Sequence, residues 1–134
     1  MFMKKTNGDE DLLLGRFPVD NDRVRTWKLV DEMALRAFAL ANRLPQEEKD
    51  GLSRQIKRAA ALCGASVAEW ASRNKTDSDR SILRQSHSLM MHLRYYIYLA
   101  RRLNLIEQKE YFLIIRKHEA ASKNIEDLLV DHKS

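Results

Sequence analysis

The residues best equipped for chemistry lie between 80 and 101, where Arg80, Arg84, His87, Met91, Arg94, Tyr98 and Arg101 recur in alternating steps of 4 and 3. On a helix that spacing gathers them along one line. Guanidinium groups interleaved with tyrosine and histidine supply charged pairing to phosphate and flat surfaces for stacking on bases. Like charges three or four residues apart also cost an isolated helix roughly 0.2–0.5 kcal/mol per pair. After Asp79 the line carries no carboxylate, so its charge must be met from outside, by acids on neighbouring helices or by a polyanion. Arg54, Lys57 and Arg58 either extend the cationic track or pair subunits, with Arg73 and Lys75 at the far end of the same segment. A nucleic-acid-binding strip of this kind requires that the fold leave it unneutralised. The rival reading is a structural assembly protein whose arginines join acids within or between subunits.

Other chemistries find little support. There is no Gly-rich phosphate loop, no His-Glu-x-x-His and no second cysteine beside Cys63. No Glu is followed by His three residues later, as a di-iron bundle requires. His87 and His92 are five apart and fall on different helical faces, a poor metal pair. His118 lies on an apolar stripe and reads as a core histidine. Cys63, among alanines, reads as an inert packing residue. Glu69 reads as an ion pair with Arg73 one turn on, or as a subunit contact. Trp27 and Trp70 read as core or interface anchors. No enzyme activity, cofactor or metal is expected.

Helices must position these groups. Trp27, Val30, Ala34, Ala37, Ala41 and Leu44 form the stripe of a first helix opening near Asp20 to Asp22, and Leu44-Pro45 closes it, because proline disfavours helical geometry in the residue before it. The QEEKDG run that follows reads as a turn. A second helix spans about 52–74, with Leu52, Ile56, Ala59, Cys63 and Val67 inward. Its centre, AAALCGASVA, is nearly all small side chains and predicts a tight packing surface, which would offset the roughly 1 kcal/mol that mid-helix Gly64 costs relative to Ala. After a turn capped by Thr76, Asp77 and Ser78, a third helix runs to about Leu103, with Ile82, Ser86, Leu89, Leu93, Ile97, Ala100 and Leu103 inward and Asn104 as its stop. A fourth covers about 107–129, with Tyr111, Ile114, His118, Ala121, Ile125 and Leu128 on one face. Short connections between four amphipathic helices predict an all-α, antiparallel up-down-up-down four-helix bundle over residues 21–132. Residues 1–20 read as a flexible N-terminal tail with a small apolar knot at Leu12 to Leu14 and Phe17-Pro18.

The totals agree with one helical domain: 134 residues, four Gly and two Pro. One cysteine rules out an internal disulfide and suits a reducing cytoplasm. No apolar run approaches the ~20 residues of a membrane span, and the acids at 9–11 interrupt any secretory apolar core. Net charge is +5, but residues 52–104 carry ten Lys/Arg against three Asp/Glu, while each flank is net negative by one. That asymmetry predicts an electropositive face.

The stretch RLPQEEKDGLSRQIKRAAALCGASVAEWASR resembles the bacterial four-helix-bundle family first noticed as open reading frames in intervening sequences of 23S rRNA genes. Trp27, Leu44-Pro45, Glu48, Gly51-Leu52, Gln55 through Ala60, Ala65 and Val67-Ala68-Glu69 stand where the family's recurring text has them, and the likeness runs from residue 24 to about 130. The resemblance implies a homopentameric ring. A related branch, the accessory variability proteins of diversity-generating retroelements, implies partners as well: a reverse transcriptase and RNA or DNA. Gly64-Ala65-Ser66 departs from the family's Pro-Ala-Asn, Trp70 from its Gly, and Met91-His92-Leu93-Arg94 from an acidic run. Exchange of acids for His and Arg moves the scaffold toward polyanions.

Overall fold

A computed structural model describes Leu13 together with residues 21–73 and 77–131. Four α-helices hold most of them: α1 (Asn21–Asn42), α2 (Leu52–Ala71), α3 (Asp77–Arg102) and α4 (Gln108–Asp131), with a 3-10 turn at Gln46–Glu48 between α1 and α2. No strand occurs among the described residues. α1 and α3 each pack against both α2 and α4, so the four helices enclose one core. Its fully buried centre takes Val30 and Met33 from α1, Ile56 and Val67 from α2, Met90 and Ile97 from α3, and Ile125 from α4.

Hydrogen bonds fix the register. Arg23, in the first turn of α1, donates to the carbonyls of Trp70 and Arg73 at the end of α2, at 2.7 and 3.0 Å. Ser53, at the start of α2, donates to the Ala41 carbonyl late in α1, at 2.9 Å. Thr26 donates to Asn124, Lys117 to Glu32 at 3.0 Å, and Arg43 to Glu110, linking α1 to α4 along its length. α3 ends where Asn104 takes a left-handed φ of 61°. The Leu105 N–H then reaches back to the Ala100 carbonyl and the Asn104 N–H to that of Arg101, both at 2.9 Å. Together these bonds satisfy carbonyls that a helix end would otherwise leave unpaired.

The helical stripes read from spacing face inward, with exceptions. Leu103 is 54% exposed, because the turn at Asn104 carries it off the face that Ala100 continues. Leu83, outside the expected stripe, is buried. α2 ends at Ala71 rather than 74, and α3 begins at Asp77, so Asp77 and Ser78 are its first two residues. Thr76 and, apart from Leu13, the segment read as a tail lie outside the described residues. Gly64 does not mark a close helix approach within the chain: a Cβ built there would meet nothing within 4 Å.

Candidate nucleic-acid interface

The expected cationic line on α3 divides in two. The residues that lean toward α4 are engaged. Arg94 donates to Glu119 at 3.2 Å and His87 to Glu126 at 2.8 Å. Arg80 turns in to the Leu129 carbonyl at 3.2 Å, and Arg101 to the Ile106 carbonyl at 2.9 Å, where it braces the turn after α3. The requirement that the fold leave this strip unneutralised is therefore not met. Acids on α4 and backbone carbonyls take up three of its arginines and His87. The physical reason is register: Glu119 and Glu126 are seven apart, as are His87 and Arg94, two helical turns on each side of one seam.

The other part faces solvent. Arg84, Ser88, Met91, Tyr95, Tyr98 and Arg102 are all exposed, and they follow one another in steps of 4 and 3. Met91 is 46% and Tyr95 55% exposed. The Tyr95 and Tyr98 rings lie 6.1 Å apart. Arg102 donates to the Tyr98 hydroxyl at 2.7 Å and lies 5.7 Å from that ring's centre. No ion pair engages Arg84 among the described residues. This outer line shares Arg84, Met91 and Tyr98 with the expected one and replaces the rest with Ser88, Tyr95 and Arg102. The 4-and-3 spacing of the second line was present in the sequence. What the spacing could not show was which flank α4 would cover.

On α2, Arg54 and Arg58 are exposed without an ion pair among the described residues, while Lys57 is half-buried with Nζ 6.0 Å from the centre of the Phe38 ring. A shallow depression on α4, lined by Gln108, Lys109, Phe112, Leu113 and Arg116, gathers no acid–base pair.

The remaining titratable groups behave as structural residues. Cys63 is buried, and burial pushes its thiol up to about 12. His118 is fully buried, with Nε2–H donating to the Met90 carbonyl at 2.7 Å. Burial holds its pKa below the usual value. The hydrogen bond from His87 holds Glu126 below the usual carboxylate range, and that from Arg43 does the same for Glu110. Glu69 pairs with Arg73 at 2.7 Å. Trp27 and Trp70 are both in the core, and the buried Arg23 guanidinium sits 4.6 Å from the Trp70 ring centre. Trp70 thus packs in the core under a cation. Among the described residues no group of three or more His, Cys, Asp and Glu comes together, and no helix is long and apolar enough to cross a membrane.

The family described as 23S rRNA-intervening sequence protein matches residues 22–127, which spans all four helices except the last turn of α4. No curated protein matches.

Proposed function

Because this chain belongs to the 23S rRNA-intervening sequence protein family, we propose that it works by assembly: an antiparallel bundle that joins copies of itself into a homopentameric ring and catalyses no reaction. One observation carries this reading. Large apolar side chains stand in solvent on well-formed helices, with Leu35 65% and Phe38 36% exposed on α1 and Leu62 42% exposed on α2. Lys57 marks the flank of α2 beside Phe38. Ala61 and Gly64 follow it at i+4 and i+7, so they lie on that flank too, and the space over Gly64 is open. Apolar surface of this kind marks an interaction site more often than a bare monomer surface, and small residues beneath it admit a second helix closely. Light scattering on the full chain is expected to give a multiple of 15.7 kDa, and Leu35→Glu to return it to a folded monomer. A monomeric wild-type mass overturns the reading.

A second reading has the protein hold RNA or cDNA beside a reverse transcriptase. It is favoured by the net charge of +5 and by Arg54, Arg58 and Arg84, which are exposed with no ion pair among the described residues. In that reading Tyr98 and Lys57 remain in the contact set, while Arg80, His87, Arg94 and Arg101 serve the fold. Three phosphate contacts predict a loss of about 20-fold in single-stranded RNA affinity between ~50 and ~200 mM salt. Fluorescence anisotropy reads this, and a change under about twofold removes the phosphate contacts.

A further inference from the structure

The outer line of α3, from Arg84 to Arg102, contributes nothing to the core. We propose that it is the docking site for residues 9–14 of a second copy of this chain, a proposal that rests on the homo-oligomeric reading above. Its chemistry selects the occupant. Arginine stands at each end, Met91, Tyr95 and Tyr98 lie between, and no carboxylate falls on the line. A second α3 laid alongside would bring arginine against arginine in either direction: Arg84 against Arg102 when antiparallel, Arg84 against Arg84 when parallel. Like charges set opposite one another select against such a pairing. The complementary surface is acidic and apolar together, and residues 9–14 read Asp-Glu-Asp-Leu-Leu-Leu. Leu13 itself is helical and 47% exposed.

Reach decides between a chain's own line and a neighbour's. From Leu13 to Asn21 is eight residues, at most ~28 Å when fully extended. The start of α1 lies at the end of the bundle where α3 begins, since Arg23 bonds the Arg73 carbonyl four residues before Asp77. Tyr95 is 18 residues beyond Asp77, a rise of ~27 Å along α3. The backbones of α1 and α3 do not approach closely, and the two helices stand diagonally across the core. To meet Tyr95, nearly the whole reach is spent along the axis, with too little left for the crossing. A neighbouring copy meets no such limit. A segment given to the next subunit and a surface offered to the previous one form a heterologous contact, the kind that repeats around a closed ring.

The test uses full-length chains. One carries Leu13→Cys and the other Tyr95→Cys, and the two are mixed and mildly oxidised. Cys63 is buried and stays silent, as wild-type chains verify. The expected result is a mixed disulfide dimer at least tenfold above that control, lowered tenfold by Leu12→Ser with Leu14→Ser in the donor chain. Leu12→Cys and Leu14→Cys donors sample the neighbouring registers. Four results overturn the proposal: a bridge closing within one doubly substituted chain, Tyr95→Cys chains bridging to each other instead, added single-stranded RNA suppressing the mixed bridge tenfold at low salt, or no mixed bridge from any donor. If the last occurs while light scattering still reports an oligomer, the docking site falls and the assembly stands; if the mass is monomeric, both fall.

Discussion

His118 shows what burial does to a titratable side chain in this core. Its Nδ1 is buried without a hydrogen-bond partner. Burial, first, and then the positive charge of Arg94 hold its pKa below 6.5 against the Met90 carbonyl and Glu119. The unfolded chain therefore takes up this proton before the folded one does. Stability falls as pH drops below about 6.5 and keeps falling until the folded histidine also titrates. Glu110 and Glu126 have lowered values relative to 4.5, so their contribution is present above pH 4.5 and is lost only below it. Urea midpoints measured against pH are expected to fall in two stages, and His118→Leu to abolish the first. The position of this histidine was legible, because it shares a 3- and 4-residue spacing with Ile114, Ala121 and Ile125. The role of Arg23 was not. A cation in the first turn of a helix reads as solvated, and its burial depends on Trp70, 47 residues away.

At the level of the helix, spacing located each stripe well and its flanks poorly. The apolar line of α3 was read one position off in places, so Leu83 was missed and Leu103 was placed inside. A single helix carries no record of which neighbour stands on which side. Arg94 and His87 thus read as open, although the acids that meet them lie 25 and 39 residues on in the sequence. The stop at Asn104 was legible for a local reason: Asn tolerates left-handed backbone better than other side chains. With φ at 61° there, Asn104→Ala is expected to lower stability by about 1 kcal/mol and Asn104→Gly to leave it nearly unchanged, as denaturant unfolding would show.

The whole molecule was legible as four helices because the breakers are few and the spacing is regular over long stretches. Its surface partners were not, since exposed Leu35, Phe38 and Tyr95 read as ordinary members of amphipathic helices until the buried faces are known. Attachment of the helices is uneven. α2 is seated among small apolar residues, whereas the three described ion pairs between helices all include α4: Lys117 with Glu32, Glu110 with Arg43 and Glu119 with Arg94, with His87 hydrogen-bonded to Glu126 beside them. Dissolved ions screen such contacts and leave apolar burial intact or strengthened. Amide hydrogen exchange in molar sodium chloride should therefore quicken first along α4, while α2 keeps its protection. The helix that neutralises the protein's cationic seam is also the one that brine can pry loose.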